Sequence, residues 1–180
     1  SRHEQGSVLD TLARGALALG TGARSDFLAL DARLPLGSRW LLFGRALTAR
    51  THIDGAGTGL VSDVDHFRSR SFAAGLVGRN LWRDRDRLGI AFIAPLRVAG
   101  ASATLRVPVD RDYAADRFLF EDRRLDLTPT GRERDIEISY GFALSDRVDV
   151  DASFIQQFAP GHVRGAAAAQ SFLLRLRTRF

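Results

Sequence analysis

The ten residues Ser171 to Phe180, SFLLRLRTRF, alternate with a period of two. Phe172, Leu174, Leu176, Thr178 and Phe180 fall on one face of an extended chain. Leu173, Arg175, Arg177 and Arg179 fall on the other. Successive strand side chains point to opposite sides, so the segment has one apolar and one cationic face. Two environments accept such a strand. One is the surface of a soluble sandwich. The other is a membrane-spanning barrel wall, where runs of about ten residues alternate between lipid and a polar lumen. A run that stops on an aromatic residue favours the wall.

The same period recurs upstream. Leu28, Leu30, Ala32 and Leu34 share a face, and Pro35-Leu36-Gly37-Ser38 has the composition of a turn. Arg39 to Arg50 is apolar on both faces around Trp40, Leu41, Leu42 and Phe43, so its phase is open. After a glycine-bearing loop, Thr51 to Asp65, come runs phased on Phe72 to Gly78, Leu88 to Val98, Ala103 to Val109, Ile136 to Leu144 and Val148 to Phe154. Residues 117–128 change phase between Phe120 and Leu125, which a bulge at the EDRR segment would reconcile. Pro95 and Pro108 cannot donate to a ladder and call for bulges or strand ends. The pattern predicts an all-β antiparallel meander of nine or ten strands, a transmembrane β-barrel, with no helical crossover for a parallel sheet. Residues 24–180 carry these strands. Residues 1–23 form a lead-in, irregular over 1–7 and either helix or first strand over Val8 to Leu19.

The last hairpin makes the register testable. A loop spanning Pro160 to Ala167 and centred near Val163 sets Asp149 opposite Arg177 and Asp151 opposite Arg175. Each acid then faces a base, in pairs worth roughly 0.2–1 kcal/mol. A slip of one residue would turn the charges into lipid, where an arginine at mid-membrane costs about 2–4 kcal/mol. Asp149, Asp151, Arg175, Arg177 and Arg179 are therefore the expected lumen charges.

Composition narrows the classes. Of 180 residues, 45% are hydrophobic and 26% charged, which fits a folded chain and excludes simple disorder. No run of 18 apolar residues exists, so no helix crosses a membrane, a statement silent on barrels. All 26 basic residues are arginine, and the formal net charge is +5. They are interleaved with acids, as in RDRDR (83–87) and GRERD (131–135), instead of forming a phosphate-tracking stripe. A nucleic-acid partner is not expected. The absence of cysteine excludes disulfides, thiolate metal sites and cysteine nucleophiles. A first residue that is serine, with no signal peptide, reads as a mature product or an excised part of a longer chain.

From Phe72 the strings FAAGLVGRNLWRDRDRLGIAFIAPLRV, TLRVPVDRDYAADR, LDLTPTGRERDIEISYGFAL and SFLLRLRTRF resemble the barrel end of subtilisin-family serine peptidase autotransporters of Gram-negative bacteria. The resemblance covers roughly Arg24 to Phe180. It implies the C-terminal part of a twelve-stranded translocator barrel, threaded by a helix and joined to an upstream passenger peptidase. It further implies an outer-membrane location. The implied partners are outer-membrane lipid, lipopolysaccharide, the barrel insertion machinery and the covalent passenger. Phe172, Leu174, Leu176 and Phe180 resemble the insertion signal that this machinery reads in a closing strand.

No enzyme chemistry is legible. The histidines are His3, His52, His66 and His162, all expected in loops or ends, and no G-x-S-x-G elbow exists. His66 with Asp63, Asp65 and Ser69 is better read as a solvated loop than as a catalytic or metal group. The glycines 55, 57 and 59 lack the GK[ST] of a phosphate loop. No cofactor or metal is expected. Trp40, Trp82, Tyr113 and Tyr140 are candidate interface aromatics, Trp82 foremost; ordinary packing is an equal alternative for Trp40 and Tyr140. Two other readings stay open: a small stand-alone barrel acting as porin or adhesin, and a soluble sandwich module.

Overall fold

A computed structural model describes residues 2–5, 22–54, 60–64 and 66–178. Among the described residues eleven strands carry the fold: β1 (Arg2–Gln5), β2 (Gly22–Leu36), β3 (Trp40–Asp54), β4 (Val61–Val64), β5 (Phe67–Arg79), β6 (Arg87–Gly100), β7 (Ser102–Asp112), β8 (Arg117–Asp126), β9 (Arg134–Ala143), β10 (Val148–Phe158) and β11 (Ala169–Thr178). The segments phased in the sequence are the strands of the structure. Two short strands add to them: β1 lies in the stretch expected to be irregular, and β4 lies in the expected loop Thr51 to Asp65, into which β3 also runs as far as Asp54. Val8 to Leu19 lies outside the described residues.

Eight strands form one sheet in the order β1-β2-β3-β5-β6-β9-β10-β11, and β4-β7-β8 form a second. The meander is therefore interrupted once by β4 and once by the β7–β8 hairpin, after which β9 returns to pair with β6. The order runs from β1 to β11 without coming back on itself. Every register with described partners is antiparallel.

The irregularities fall where the backbone needs them. No bulge interrupts β8 at EDRR; its register runs unbroken from Phe120 to Asp126. The shift lies on the partner strand, between Pro108 and Asp110, at a residue that cannot donate to the ladder anyway. Pro95 sits beyond the last β6–β9 pair, Ile93 with Asp135.

By contacts the chain divides into two compact units. The first comprises Ser1–Leu28, Thr48–Ser69 and Val98–Thr128. Its core is small: Ala23, Phe67 and Ala101, with Ile53, Val64 and Val98 packed around them. Beside it Ser25 Oγ and Thr51 Oγ1 are buried and hydrogen-bonded at 2.8 Å.

The second unit, Ala29–Leu47, Arg70–Arg97 and Pro129–Phe180, is an inside-out sheet. Registered pairs share a face, so β6, β9, β10 and β11 sort without ambiguity. One face carries Ile90, Phe92, Ile136, Ile138, Phe154, Phe172, Leu174 and Leu176, all exposed. The other carries Arg87, Glu137, Ser139, Gly141, Asp149, Asp151, Arg175 and Arg177. Phe72 of β5 joins the apolar face through its ring contact with Phe92, at 6.5 Å between centroids. Arg45 of β3 and Asp31 of β2 form an ion pair at 3.5 Å, while Leu30 and Leu34, at the opposite parity to Asp31, stand exposed. The doubly apolar stretch at Leu41 to Phe43 has a local cause. Leu42 is exposed, whereas Phe43 lies over Gly75, where a Cβ would stand only 2.5 Å from its Cζ. A contiguous exposed apolar face of this extent is not a water-facing surface.

Candidate functional site

The charged face of the second unit is the candidate site. Its centre is a row across four strands: Arg87 pairs with Gly141, Gly141 with Asp151, and Asp151 with Arg175. Gly141 has no side chain to fill the middle of the row. The carboxylate of Asp151 lies over its backbone, in the space a Cβ would take. From there it accepts a hydrogen bond from Arg87 Nη2 at 3.2 Å, a reach across an intervening strand. One row on, Asp149 stands opposite Arg177. The predicted hairpin register thus appears in the structure, but Asp151 makes its ion pair with Arg87. The sequence alone does not bring β6 beside β9.

Arg79, Arg85, Arg87, Arg177, Asp149 and Asp151 border a cleft of about 310 Å³. Closely spaced guanidinium and carboxylate groups offer donors in fixed forks beside acceptors. Such a wall can bind polyhydroxylated solutes and hold ions of either sign. Arg179 and Phe180 lie outside the described residues. Phe172, Leu174 and Leu176 are exposed on the opposite, apolar face, at 70%, 58% and 66%.

The turn between β5 and β6 caps this end of the sheet. Asp86 is buried there and gathers the loop around its carboxylate. It accepts N–H bonds from Leu81 (2.7 Å), Trp82 (2.9 Å) and Arg83 (3.0 Å), and the Tyr140 hydroxyl donates to it at 3.0 Å. Burial pushes the Asp86 carboxyl up, but these four donors outweigh it and hold it below its ordinary value of 3.8. Trp82 packs edge-on against Tyr140, with ring centroids 5.6 Å apart, and Arg83 lies over Phe142 at 5.0 Å. Trp40, at the start of β3, covers Gly78. The aromatics Trp40, Trp82, Tyr140 and Phe142 thus collect near one set of turns.

Of the residues expected in loops, His52 lies instead in β3, Asp63 in β4 and Ser69 in β5. The rings of His52 and His66 lie tilted against each other, 4.0 Å between centroids, Ser69 is buried, and Asp65 and the glycines 55, 57 and 59 lie outside the described residues. Among the described residues no group of three or more histidines and acids is arranged to hold a metal.

An antiparallel sheet, apolar and exposed on one face and charged on the other, is the wall of an outer-membrane β-barrel. The family model of carbohydrate-selective porins, OprB family, matches residues 2–180, and the chain belongs to that family. It resides in the Gram-negative outer membrane and is counted among channels instead of enzymes. No curated protein and no solved structure matches it. The family match overturns the autotransporter resemblance and, with it, the upstream peptidase passenger and the helix-threaded translocator. The cause of the misreading is physical. Alternation, aromatic ends and Arg–Asp rows are imposed on any strand standing between lipid and water, so they report environment and not descent.

Proposed function

We propose that this chain contributes part of the wall of a carbohydrate-conducting pore. In this reading the apolar face, with Phe172, Leu174 and Leu176, meets lipid and, in the outer leaflet, lipopolysaccharide. The charged face, with Asp149, Asp151, Arg175 and Arg177, lines the lumen. The row Arg87–Gly141–Asp151–Arg175 carries the reading, because its register is continuous across four strands and the opposite face of the same strands carries the exposed row Ile90–Ile138–Phe154–Phe172. A sugar presents vicinal hydroxyls that both donate and accept. Guanidinium forks and carboxylates set side by side serve both needs at once.

The connections orient the wall. Gly37–Arg39, Asn80–Asp86 and Leu144–Arg147 are short turns at one end of the sheet, and the excursion to β7 and β8 leaves from the other. Outer-membrane barrels keep short turns on the periplasmic side and long loops outside. Trp40, Trp82 and Tyr140 then belong to the periplasmic aromatic girdle, and the barrel insertion machinery of the outer membrane assembles the wall.

The test is solute flux in proteoliposomes carrying the full-length protein. Wild type is expected to admit neutral monosaccharides. Asp151→Asn and Arg177→Gln are expected to change the relative rates for different sugars, and Arg177→Glu to shift ion selectivity toward cations in planar bilayers. Absence of any channel activity, or variants with unaltered sugar rates and ion selectivity, would overturn the reading.

A further inference from the structure

At the end of the second unit away from the short turns, two connections are tied together by one imidazole. His162 belongs to the β10–β11 connection. Its Nδ1 accepts the N–H of Glu133 at 3.0 Å, and its Nε2 lies 3.0 Å from the carbonyl oxygen of Leu96 on β6. A carbonyl only accepts, so Nε2 carries the proton and Nδ1 is bare. This pair of bonds is available to neutral imidazole alone. The His162 carbonyl in turn accepts from the Gly131 N–H at 2.6 Å.

The surrounding bonds close the clasp. The Glu133 carboxylate accepts from Gln157 Nε2 (3.0 Å) and the Gly161 N–H (2.7 Å). Arg97 is committed to the carbonyls of Gly131 and Pro129, both at 2.7 Å. Arg164 bonds Thr130 through its N–H (3.1 Å) and its Nε (3.2 Å). Asp135, on the adjacent strand, is buried with Oδ1 unpartnered among the described residues. Arg97 and Arg164 are both engaged with carbonyl oxygens. The loop itself is held in unfavourable backbone: Ala159 and His162 have φ of 50° and 60°, conformations that non-glycine residues keep only where neighbouring contacts hold them.

We propose that His162 is an acid-released clasp between the β10–β11 connection and residues 129–133. Imidazole side chains take up a proton between about pH 5 and 8. A proton on Nδ1 turns an acceptor into a donor aimed at the Glu133 N–H, so that bond is lost and two donors face each other. The left-handed turn at Ala159 to His162 then loses one of the contacts that hold it. The Gly131–His162, Gly161–Glu133 and Arg164–Thr130 bonds are left to hold the two connections, and these loosen. The change is reversible and needs no ligand.

The chain has no cysteine, which permits a direct distance measurement. Nitroxide labels go on Arg132→Cys and Ala167→Cys in the full-length protein in lipid vesicles. At about pH 7.5 a single narrow short distance is expected, and at about pH 5.5 a longer and broader distribution. His162→Gln, which donates and accepts without titrating, is expected to stay narrow at both values, with His162→Asn as a second non-titrating variant. His162→Ala is expected to be broad at both. A distribution unchanged by pH, or the same acid broadening in His162→Gln or His162→Asn, would overturn the proposal.

Discussion

Arg87 reaches Asp151 over a strand that places only the backbone of Gly141 between them. Neither side chain belongs to the neighbouring strand of the other, so the ion pair exists only because the intervening residue is glycine. Both partners are partly exposed, which limits the pair itself to about 0–1 kcal/mol. The value of the arrangement is positional: it fixes a carboxylate and a guanidinium side by side above the sheet.

Gly141→Val is expected to displace Asp151 and to strain the row. The destabilisation should be about 1–3 kcal/mol, read as a lower urea midpoint for loss of the folded, heat-modifiable band. Asp151→Ala, which vacates the space, should restore most of that loss when combined with Gly141→Val.

Leu173 and Leu174 are neighbours in β11 on opposite faces. Leu174→Arg should cost about 2–4 kcal/mol if its position is near mid-membrane. Leu173→Arg, in the same strand beside Arg175, should change stability by less than about 1 kcal/mol. Equal effects from the two substitutions in reversible unfolding from vesicles would contradict the assignment of faces.

Asp86 gives the turn an acid limit with a definite sign. Its carboxyl is held below 3.8 in the folded chain, so the contribution is present in full above that value and fades as pH falls through the lower folded value. Melting temperatures of wild type measured from pH 7 to pH 2.5 should decline in the lowest part of that range. Asp86→Asn should melt lower at pH 7 and show a shallower decline.

Gly131 lies against the backbone of His162 to Arg164, where a Cβ would meet Arg164 N at 2.6 Å. Gly131→Ala should therefore loosen the β10–β11 connection at neutral pH. Faster amide exchange confined to residues 129–133 and 159–165, with strand exchange unchanged, is the expected pattern.

The strands were legible wherever one face differs sharply from the other. Ile136 to Leu144 alternates without a fault and became β9; the Asp149 and Asp151 spacing against Arg175 and Arg177 carried the register of the last hairpin. Legibility failed where a tertiary neighbour decides. Phe43 faces the charged side because Gly75 leaves it a bed, and nothing local in the sequence announces that. The bulge moved from EDRR to Pro108 because strand β7 carries the residue that cannot pair. In the site, Arg175, Arg177, Asp149 and Asp151 could be named from pattern alone. Arg87 and Gly141 could not, since they meet only after the chain has left the sheet and returned. A glycine inside the otherwise clean β9 pattern was the one local hint of a close approach.

That departure and return separates two kinds of sequence freedom. β6 and β9 are joined directly to each other by seven registered pairs, from Arg87 with Gly141 to Ile93 with Asp135. The pairing of β6 with β9 thus does not run through the segment between them, and Tyr113 at the tip of the β7–β8 hairpin takes no part in it. An epitope, a fluorophore or a binding peptide spliced in at Tyr113 to Asp116 would display itself without opening a seam. With this connectivity the β7–β8 hairpin can change as a unit while the registered pairs of β6 and β9 stay the same.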